Sequence, residues 1–327
     1  MIRGMVLGKF MPPHAGHLYL CEVAAGHVDQ LDIVVGTLRA EPIPGALRYA
    51  WMRELFPFAN VVHLDDELPQ YPHEHPDFWA LWRASLERCV PAKPDVVFAS
   101  EPYGATLAEL FGARFVPVDL QRSTVPISGT QLRDDPMTHW RCLPRCVRPY
   151  FVKRVSIVGP ESTGKTTLAR TLASDLGTCW VAEWARAVLE RRDGELDGLD
   201  WSELTRGQIA AEEALARNAE RVLICDTDPL ATVVWAETLL GACPATVREA
   251  AQDRRYDLTL LTAPDVPWVD DPVRYLPDGG ARFFERCREA LEQRGRRYVV
   301  LRGDWATRYA TARAALDELL RPAAINV

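Results

Sequence analysis

Short apolar, β-branched segments alternate with stretches of helical spacing along the first part of the chain. The apolar segments are too short for independent helices and are typical of buried strands. Strands are predicted at 4–8, 31–36, 61–64, 95–99 and 114–118, and helices at 17–28, 46–56, 78–89 and 106–111. This alternation predicts a parallel, doubly wound α/β sheet, in which helices connect successive strands.

The alternation stops at 134–149, where Pro136, Pro144 and Pro149 stand among tryptophan, arginine and cysteine. We place a domain junction there, which predicts two doubly wound domains at 1–149 and 150–327. In the second domain, strands are predicted at 152–158, 179–182, 221–226, 257–262 and 298–301, and helices at 167–176, 184–192, 202–220, 230–240, 245–253, 281–293 and 306–320. Ser202 is the predicted N-cap of its longest helix. Residues 264–280 form a loop of the length expected for a lid.

A phosphate-binding pattern opens the second domain. Residues 159–166 read GPESTGKT, which is G-x-x-x-x-G-K-[ST] between a predicted strand and a predicted helix. In such a loop the backbone N–H groups point at phosphate oxygens, the Lys165 ammonium reaches the β- and γ-phosphates, and the Thr166 hydroxyl holds Mg²⁺. The predicted ATP-binding residues here are Gly159, Glu161, Ser162, Thr163, Gly164, Thr166 and Thr167, beside the catalytic candidate Lys165.

A second phosphate-type pattern follows the first strand. Residues 8–17 read GKFMPPHAGH and place His14 and His17 about one helical turn apart, with Gly16 permitting close approach of a nucleotide. Imidazoles at a helix start can donate to a phosphate that gains charge during displacement. At 127–133, ISGTQLR begins another helix with capping hydroxyls and an arginine that can clamp phosphates. Only four of the 38 basic residues are lysines, yet Lys9 and Lys165 both lie in these motifs, which favours a point-like ammonium at each.

The two N-terminal patterns, G-x-F-x-P-x-H-x-G-H and I-S-x-T-x-x-R, together resemble the nucleotidyltransferases of the H-x-G-H superfamily. Where that family has Ser-Ser in the second pattern, this chain has Ser128-Gly129, which removes one hydroxyl. Followed by a phosphate-loop domain, the order resembles the NadR-type bifunctional enzymes, nicotinamide-nucleotide adenylyltransferase first and ribosylnicotinamide kinase second. The resemblance covers nearly the whole chain and extends to 71–72, 79, 82, 100–104, 122, 226–228 and 268–271.

For the second domain, the resemblance implies phosphorylation of nicotinamide riboside by ATP. Asp226, at the end of a strand, is expected to share Mg²⁺ with Thr166. Glu183 and Asp228 both remain candidates for the carboxylate at the ribose 5′-hydroxyl. Arginine candidates for stabilising the transferring phosphoryl group are Arg186, Arg274 and Arg282, and the predicted substrate-binding residues are Arg186, Trp268 and Asp270.

For the first domain, the resemblance implies attack of the mononucleotide phosphate on the α-phosphorus of ATP, giving NAD and pyrophosphate. His14 and His17 are expected to stabilise the transferring phosphate, and Lys9 and Arg133 to hold the charged tail. Further predicted ATP-binding residues are Gly8, Phe10, Gly16, Ser128 and Thr130, and Trp79 or Trp82 is expected to stack on nicotinamide.

Composition narrows the alternatives. The net charge of −7 argues against a broad nucleic-acid surface, and no apolar run is long enough to span a bilayer. Eight scattered cysteines predict free thiols in the cytoplasm. We expect small-molecule partners (ATP, the riboside, the mononucleotide and NAD), and the oligomeric state stays open, a homo-oligomer included. The regulatory version of the family adds an N-terminal helix-turn-helix domain; this sequence starts at the first strand, so the resemblance does not imply repressor function. The competing readings are another nucleoside or a pantetheine-type acceptor on the same folds, and a nucleotide-sensing regulator with weak turnover.

Overall fold

A computed structural model describes residues 1–321 and divides the chain into two compact units, Met1–Val147 and the part that begins at Arg148. Each unit is built on one five-stranded sheet, and every strand pairing in both sheets is parallel. The predicted fold class, two doubly wound α/β domains, is confirmed.

In the first unit the strands are β1 (Arg3–Gly8), β2 (Gln30–Gly36), β3 (Asn60–Leu64), β4 (Val96–Ala99) and β5 (Arg114–Pro117). The helices are α1 (Ala15–Ala25), α2 (Gly45–Leu55), α3 (Phe78–Cys89), α4 (Tyr103–Phe111) and α5 (Gly129–Asp134). The strands lie in the order β3-β2-β1-β4-β5, so the direction of winding reverses between β1 and β4. Ligands of such sheets bind outside the carboxyl ends of the strands at this reversal.

Both faces of this sheet are covered, which explains its nearly continuous apolar strands. Side chains alternate between faces along a strand, so neighbouring residues enter different cores. Val6 packs with Ile33 and Phe98 in the cluster that includes Leu20 of α1. The other face holds a second cluster with Met5, Val34, Val97 and residues of α3 and α4.

In the second unit the strands are β6 (Lys153–Val158), β7 (Trp180–Val181), β8 (Val222–Asp226), β9 (Leu258–Thr262) and β10 (Tyr298–Leu301). The helices are α6 (Arg148–Phe151), α7 (Lys165–Leu176), α8 (Trp184–Glu190), α9 (Trp201–Ala216), α10 (Pro229–Leu240), α11 (Ala245–Asp253), α12 (Gly280–Gln293) and α13 (Trp305–Leu319). The order β10-β9-β6-β8-β7 places β6 between β8 and β9. The loop after β6 therefore lies beside the end of β8.

The predicted N-cap Ser202 is wrong. Asp200 caps α9, because its carboxylate accepts the N–H groups of Ser202 and Glu203 at 2.9 and 3.1 Å. A carboxylate can accept two N–H groups and also interacts favourably with the positive end of the helix. The helix consequently begins at Trp201 and ends at Ala216, four residues before the predicted end.

All eight cysteines are free thiols. Within residues 1–321, the helices are too short or too polar for any of them to traverse a bilayer.

Candidate active sites

The first unit contains a cavity of about 720 Å³ that reaches the carboxyl ends of β1 and β4 and the starts of α1 and α5. All the residues predicted for this domain line it: Gly8, Lys9, Phe10, His14, Gly16, His17, Trp79, Trp82, Ser128, Thr130 and Arg133. The H-x-G-H loop and the second motif, far apart in sequence, therefore share one cavity.

The two imidazoles of this cavity stack on each other. His14 is the N-cap of α1, and its Nδ1 accepts the Gly16 N–H at 3.1 Å, which leaves Nε2–H as a donor in the neutral ring. The ring centroids of His14 and His17 lie 3.7 Å apart, and Phe10 meets His17 edge-on. Burial and the charge of Arg122 lower the pKa of His14 to about 4. Burial and the neighbouring His14 lower the pKa of His17 as well, so both rings are neutral donors at pH 7.

Lys9 is held by two residues that sequence reasoning did not single out. Its Nζ lies 3.0 Å from Glu41 Oε1, and Arg48 donates to its backbone carbonyl at 2.6 Å. Arg48 is fully buried, also donates to the Ile43 carbonyl, and pairs with Glu41. A buried ion pair thus fixes both ends of Lys9 at the cavity wall. An arginine inside a helix is usually expected to be exposed, so the sequence does not indicate that Arg48 is buried and holds Lys9.

The second motif, at the start of α5, also lines this cavity. Ser128 caps α5 by accepting the Gln131 N–H at 3.2 Å. Arg133 donates to the Thr130 hydroxyl at 3.1 Å and to the Met11 carbonyl. A Cβ at Gly129 would lie 2.8 Å from that same Met11 oxygen. The close approach of the two motifs therefore leaves no room for a Cβ at position 129 in this backbone.

The second unit contains a cavity of about 190 Å³ between the phosphate loop, α8, α9 and α10. Its lining includes these predicted residues: Glu161, Ser162, Thr163, Gly164, Lys165, Thr166, Thr167, Glu183, Arg186 and Arg274. The other predicted residues of this domain, which are Gly159, Asp226, Asp228, Trp268, Asp270 and Arg282, do not line it.

The phosphate loop depends on contacts with distant residues. Gly159 has φ 141°, and a Cβ there would lie 2.3 Å from the Thr262 hydroxyl oxygen. The Lys165 ammonium donates to the Pro160 carbonyl at 2.8 Å. Arg308 of α13 is buried and donates to the Thr163 carbonyl at 3.1 Å and to the Ala263 carbonyl at 2.8 Å. The loop is thus braced by β9 and by α13.

Three oxygen-bearing side chains meet beneath this loop. The Thr166 hydroxyl donates to Asp226 Oδ2 at 2.5 Å, and Asp226 Oδ1 is buried with no hydrogen-bond partner among the described residues. Burial raises the pKa of Asp226. Burial, followed by the charge of Asp226, raises the pKa of Glu183 to about 7. A hydroxyl and a carboxylate with an unused oxygen fit the hard-oxygen preference of Mg²⁺.

Asp228 does not reach the cavity because its carboxylate is already engaged. One oxygen accepts the Ala231 N–H at 2.9 Å and caps α10, and the other pairs with Arg296 at 2.5 Å. Of the two carboxylates left open by the sequence, Glu183 alone lines the cavity. Arg282 is exposed on α12, away from the lining residues.

The predicted lid, residues 264–280, lies against the phosphate loop up to the start of α12 at Gly280. Glu161 accepts the N–H groups of Tyr275 and Leu276 at 2.9 and 3.0 Å, and Ser162 Oγ accepts the Val269 N–H at 2.7 Å. Two further predicted residues, Trp268 and Asp270, belong to this segment but not to the cavity lining. The guanidinium of Arg274 lies 5.8 Å from the centre of the Trp268 ring, and Asp270 is exposed. The lid therefore contacts the loop through Glu161 and Ser162.

An apolar half of this cavity was not predicted. Trp201 and Leu204 of α9 and Trp235 and Leu239 of α10 line it, together with the amide of Gln208. Tryptophan and leucine at helical spacing usually indicate core packing, so this pattern alone does not predict a binding surface. Gln208 is one of several polar residues on the buried face of α9, with Thr205 and Glu212, and such residues are the signal in the sequence that distinguishes this face from a plain core.

Fold and cavities together define a two-domain transferase of ATP: a nucleotidyltransferase-type domain with an H-x-G-H motif, followed by a kinase-type domain with a phosphate loop. The particular match is to NadR-type proteins. The chain is 29% identical to the trifunctional NAD biosynthesis/regulator protein NadR of Escherichia coli (strain K12) over 346 residues, which covers 97% of this chain and 83% of that protein.

Solved structures agree. A crystal structure of NadR protein in complex with NR has a TM-score of 0.82 and 26% identity, and covers 97% of this chain and 96% of that one. A crystal structure of NadR protein in complex with NAD and AMP-PNP has a TM-score of 0.80 and 25% identity, and covers 98% and 96%. A family model described as an AAA domain matches residues 154–308. The similarity spans both domains and confirms the predicted resemblance to NadR-type proteins.

Proposed function

We propose that this chain is a bifunctional NAD-salvage enzyme that phosphorylates nicotinamide riboside with ATP and adenylylates the resulting mononucleotide with a second ATP. One observation carries the proposal: each unit holds its own phosphate-binding motif in its own cavity, and the two cavities differ in chemistry. The first pairs neutral imidazoles with a lysine and an arginine. The second pairs a phosphate loop with the half-buried carboxylate of Glu183.

In the kinase reaction, the riboside 5′-oxygen attacks the γ-phosphorus of ATP, the bond from that phosphorus to the β-bridging oxygen breaks, and ADP leaves. Glu183 accepts the hydroxyl proton, since it is the cavity carboxylate whose pKa lies near neutrality. Lys165 and Arg274 neutralise charge on the transferring phosphoryl group. Thr166 and Asp226 would hold Mg²⁺, which supplies further neutralisation of the β- and γ-phosphates when bound.

In the adenylyl transfer, a phosphate oxygen of the mononucleotide attacks the α-phosphorus of ATP, and pyrophosphate leaves. No proton has to be removed from the nucleophile, so the site needs positioning and charge stabilisation. His14 and His17 donate hydrogen bonds as neutral rings, because burial keeps their pKa values low. Lys9 and Arg133 hold the pyrophosphate that leaves. Trp79 and Trp82, both in the cavity lining, offer the aromatic surface for nicotinamide.

The test uses the purified full chain with Mg²⁺-ATP. We expect ADP and the mononucleotide from the riboside, and NAD and pyrophosphate from supplied mononucleotide. Lys165→Ala should abolish only the first activity, and His17→Ala should slow only the second by about 10² or more. The exposed Lys93→Ala and His27→Ala serve as matched controls. Loss of both activities from either active-site change would contradict two independent sites.

A substrate panel read by product mass separates this proposal from its competitors. Preferred turnover of another nucleoside or of a pantetheine-type acceptor would overturn the substrate assignment and keep the reaction types. Tight nucleotide binding with negligible turnover would instead indicate a sensor. Cytoplasmic location is part of the proposal and is supported by the eight free thiols, which a reducing compartment preserves.

A further inference from the structure

We propose that Gln208 recognises the ribose of the nucleoside and at the same time fixes the position of Glu183. The inference rests on the proposed kinase activity and adds a specificity and positioning residue that the phosphate-loop motif does not contain. It begins from a buried amide, 2% exposed, in the wall of the second cavity.

Hydrogen bonding determines the orientation of this amide. Gln208 Oε1 accepts the backbone N–H of Trp184 at 2.9 Å, so the oxygen faces α8. Its Nε2 is buried and has no hydrogen-bond partner among residues 1–321. Buried polar groups are rarely left unpaired, and the exceptions mark places where a ligand or water completes the bond. The cavity therefore presents a donor that requires an acceptor from the bound molecule.

The position along α9 indicates which part of the nucleoside supplies the acceptor. Trp184 directly follows Glu183, and Gln208 and Glu183, the proposed base for the 5′-hydroxyl, line the same cavity. Trp201 lies seven residues earlier on the same face of α9, which corresponds to about 10 Å along the helix axis. The aromatic and aliphatic part of the cavity suits the flat pyridine ring, and the Gln208 end suits the sugar. The hydroxyl oxygens of ribose are acceptors of the kind that an amide N–H₂ binds.

The same side chain also supports Glu183. Glu183 is the N-cap residue of α8, and Gln208 accepts the first N–H of that helix. The contact is close, because a Cβ at Gly207 would lie 2.2 Å from the Trp184 Nε1 atom. One amide therefore links the sugar to the backbone that carries the proposed base. A substrate without the matching hydroxyl should lose binding and part of this alignment.

The test compares kcat/KM for nicotinamide riboside with those for its 2′-deoxy and 3′-deoxy analogues. The wild-type protein should disfavour at least one analogue by about tenfold or more, because the analogue leaves the buried Nε2 unpaired. Gln208→Met should slow the riboside and bring that discrimination ratio close to one. The exposed Gln252→Met on α11 is the matched control and should keep the wild-type ratio.

Each result of this comparison either supports or overturns the proposed role of Gln208. A purely structural role would slow all three substrates equally and leave the ratio unchanged in Gln208→Met, which would overturn the proposal. Equal turnover of all three substrates by the wild-type protein would overturn it without any variant. Binding of Mg²⁺-ATP by Gln208→Met with the wild-type affinity shows that the second domain is folded. If the wild-type protein produces no ADP from the riboside itself, the proposed function fails and this inference falls with it.

Discussion

Replacing Glu183 by glutamine removes one ionisable group from the second cavity and keeps its shape. Glu183 is the carboxylate of this cavity that is best suited to act as a general base, because burial and the neighbouring charge of Asp226 raise its pKa to about 7. A carboxylate with an ordinary pKa would be ionised throughout the working range and would give no pH dependence near neutrality. This one should titrate within the range in which the enzyme is assayed.

The size of the effect follows from that pKa. At pH 5.5 a group with a pKa of about 7 is about 3% ionised, and at pH 8 it is about 90% ionised. If the ionised form is the base, kcat/KM for the riboside should rise over this interval by at most about 30-fold, and by less where bound Mg²⁺ offsets the charge of Asp226. Glu183→Gln should lower the plateau by about 10²- to 10⁴-fold and remove the slope.

A coupled assay of ADP release across this pH range, with saturating Mg²⁺-ATP, measures both quantities. Glu203→Gln, an exposed glutamate on α9, is the control and should keep the wild-type profile. Linkage supplies an independent check: the native state holds this proton more tightly than the unfolded chain, so stability should fall as the pH rises from about 4.5 to about 7, and less so in the variant. A Glu183→Gln protein with more than about a tenth of normal activity, or one that keeps the wild-type pH profile, would refute the assignment.

Three further changes test the surroundings of the two sites. Asp226→Asn should raise the Mg²⁺ concentration needed for half-maximal kinase activity by about tenfold or more without lowering the melting temperature of the nucleotide-free protein, since it removes a buried charge; an unchanged Mg²⁺ titration would argue against the metal role. Gly207→Ala should impair the kinase and spare adenylyl transfer, because the added methyl would overlap the Trp184 indole; equal loss of both activities would contradict a local effect. Arg48→Met should destabilise the first unit by about 1–3 kcal/mol in urea unfolding and raise the KM of adenylyl transfer for ATP, since the carbonyls of Lys9 and Ile43 lose their donor while Glu41 keeps Lys9 as its partner; an unchanged unfolding midpoint would refute this.

The local parts of both sites were predictable from the sequence. A strand, a glycine-containing loop and a helix follow one another within a few residues, so the spacing of GPESTGKT and GKFMPPHAGH already determines where Lys165 and His17 stand. The order of strands and helices was predictable for the same reason. Alternation of apolar runs and helical spacing reflects burial on both faces of a parallel sheet.

Pairings between distant segments were not predictable. The carboxylate of Asp228 is taken by Arg296, and Lys9 is held by the Glu41–Arg48 pair. These contacts depend on how helices pack, and neither partner has a distinctive neighbourhood in sequence. The apolar wall of the second cavity was not predictable for a related reason. The same helical spacing of apolar residues is found in packed cores and in ligand-binding surfaces.

The bracing of the phosphate loop by Arg308 has a consequence for the integrity of the kinase. This arginine stands 145 residues after the threonine whose carbonyl it binds, near the start of the last described helix. A premature stop codon or a proteolytic cut before α13 would leave every residue of the phosphate loop in place. It would remove the Arg308 side chain that supports the loop. The smallest part of the chain that keeps the phosphate loop in this shape is therefore the whole second domain. A shorter fragment would contain the motif but lack the side chain that supports it for ATP binding.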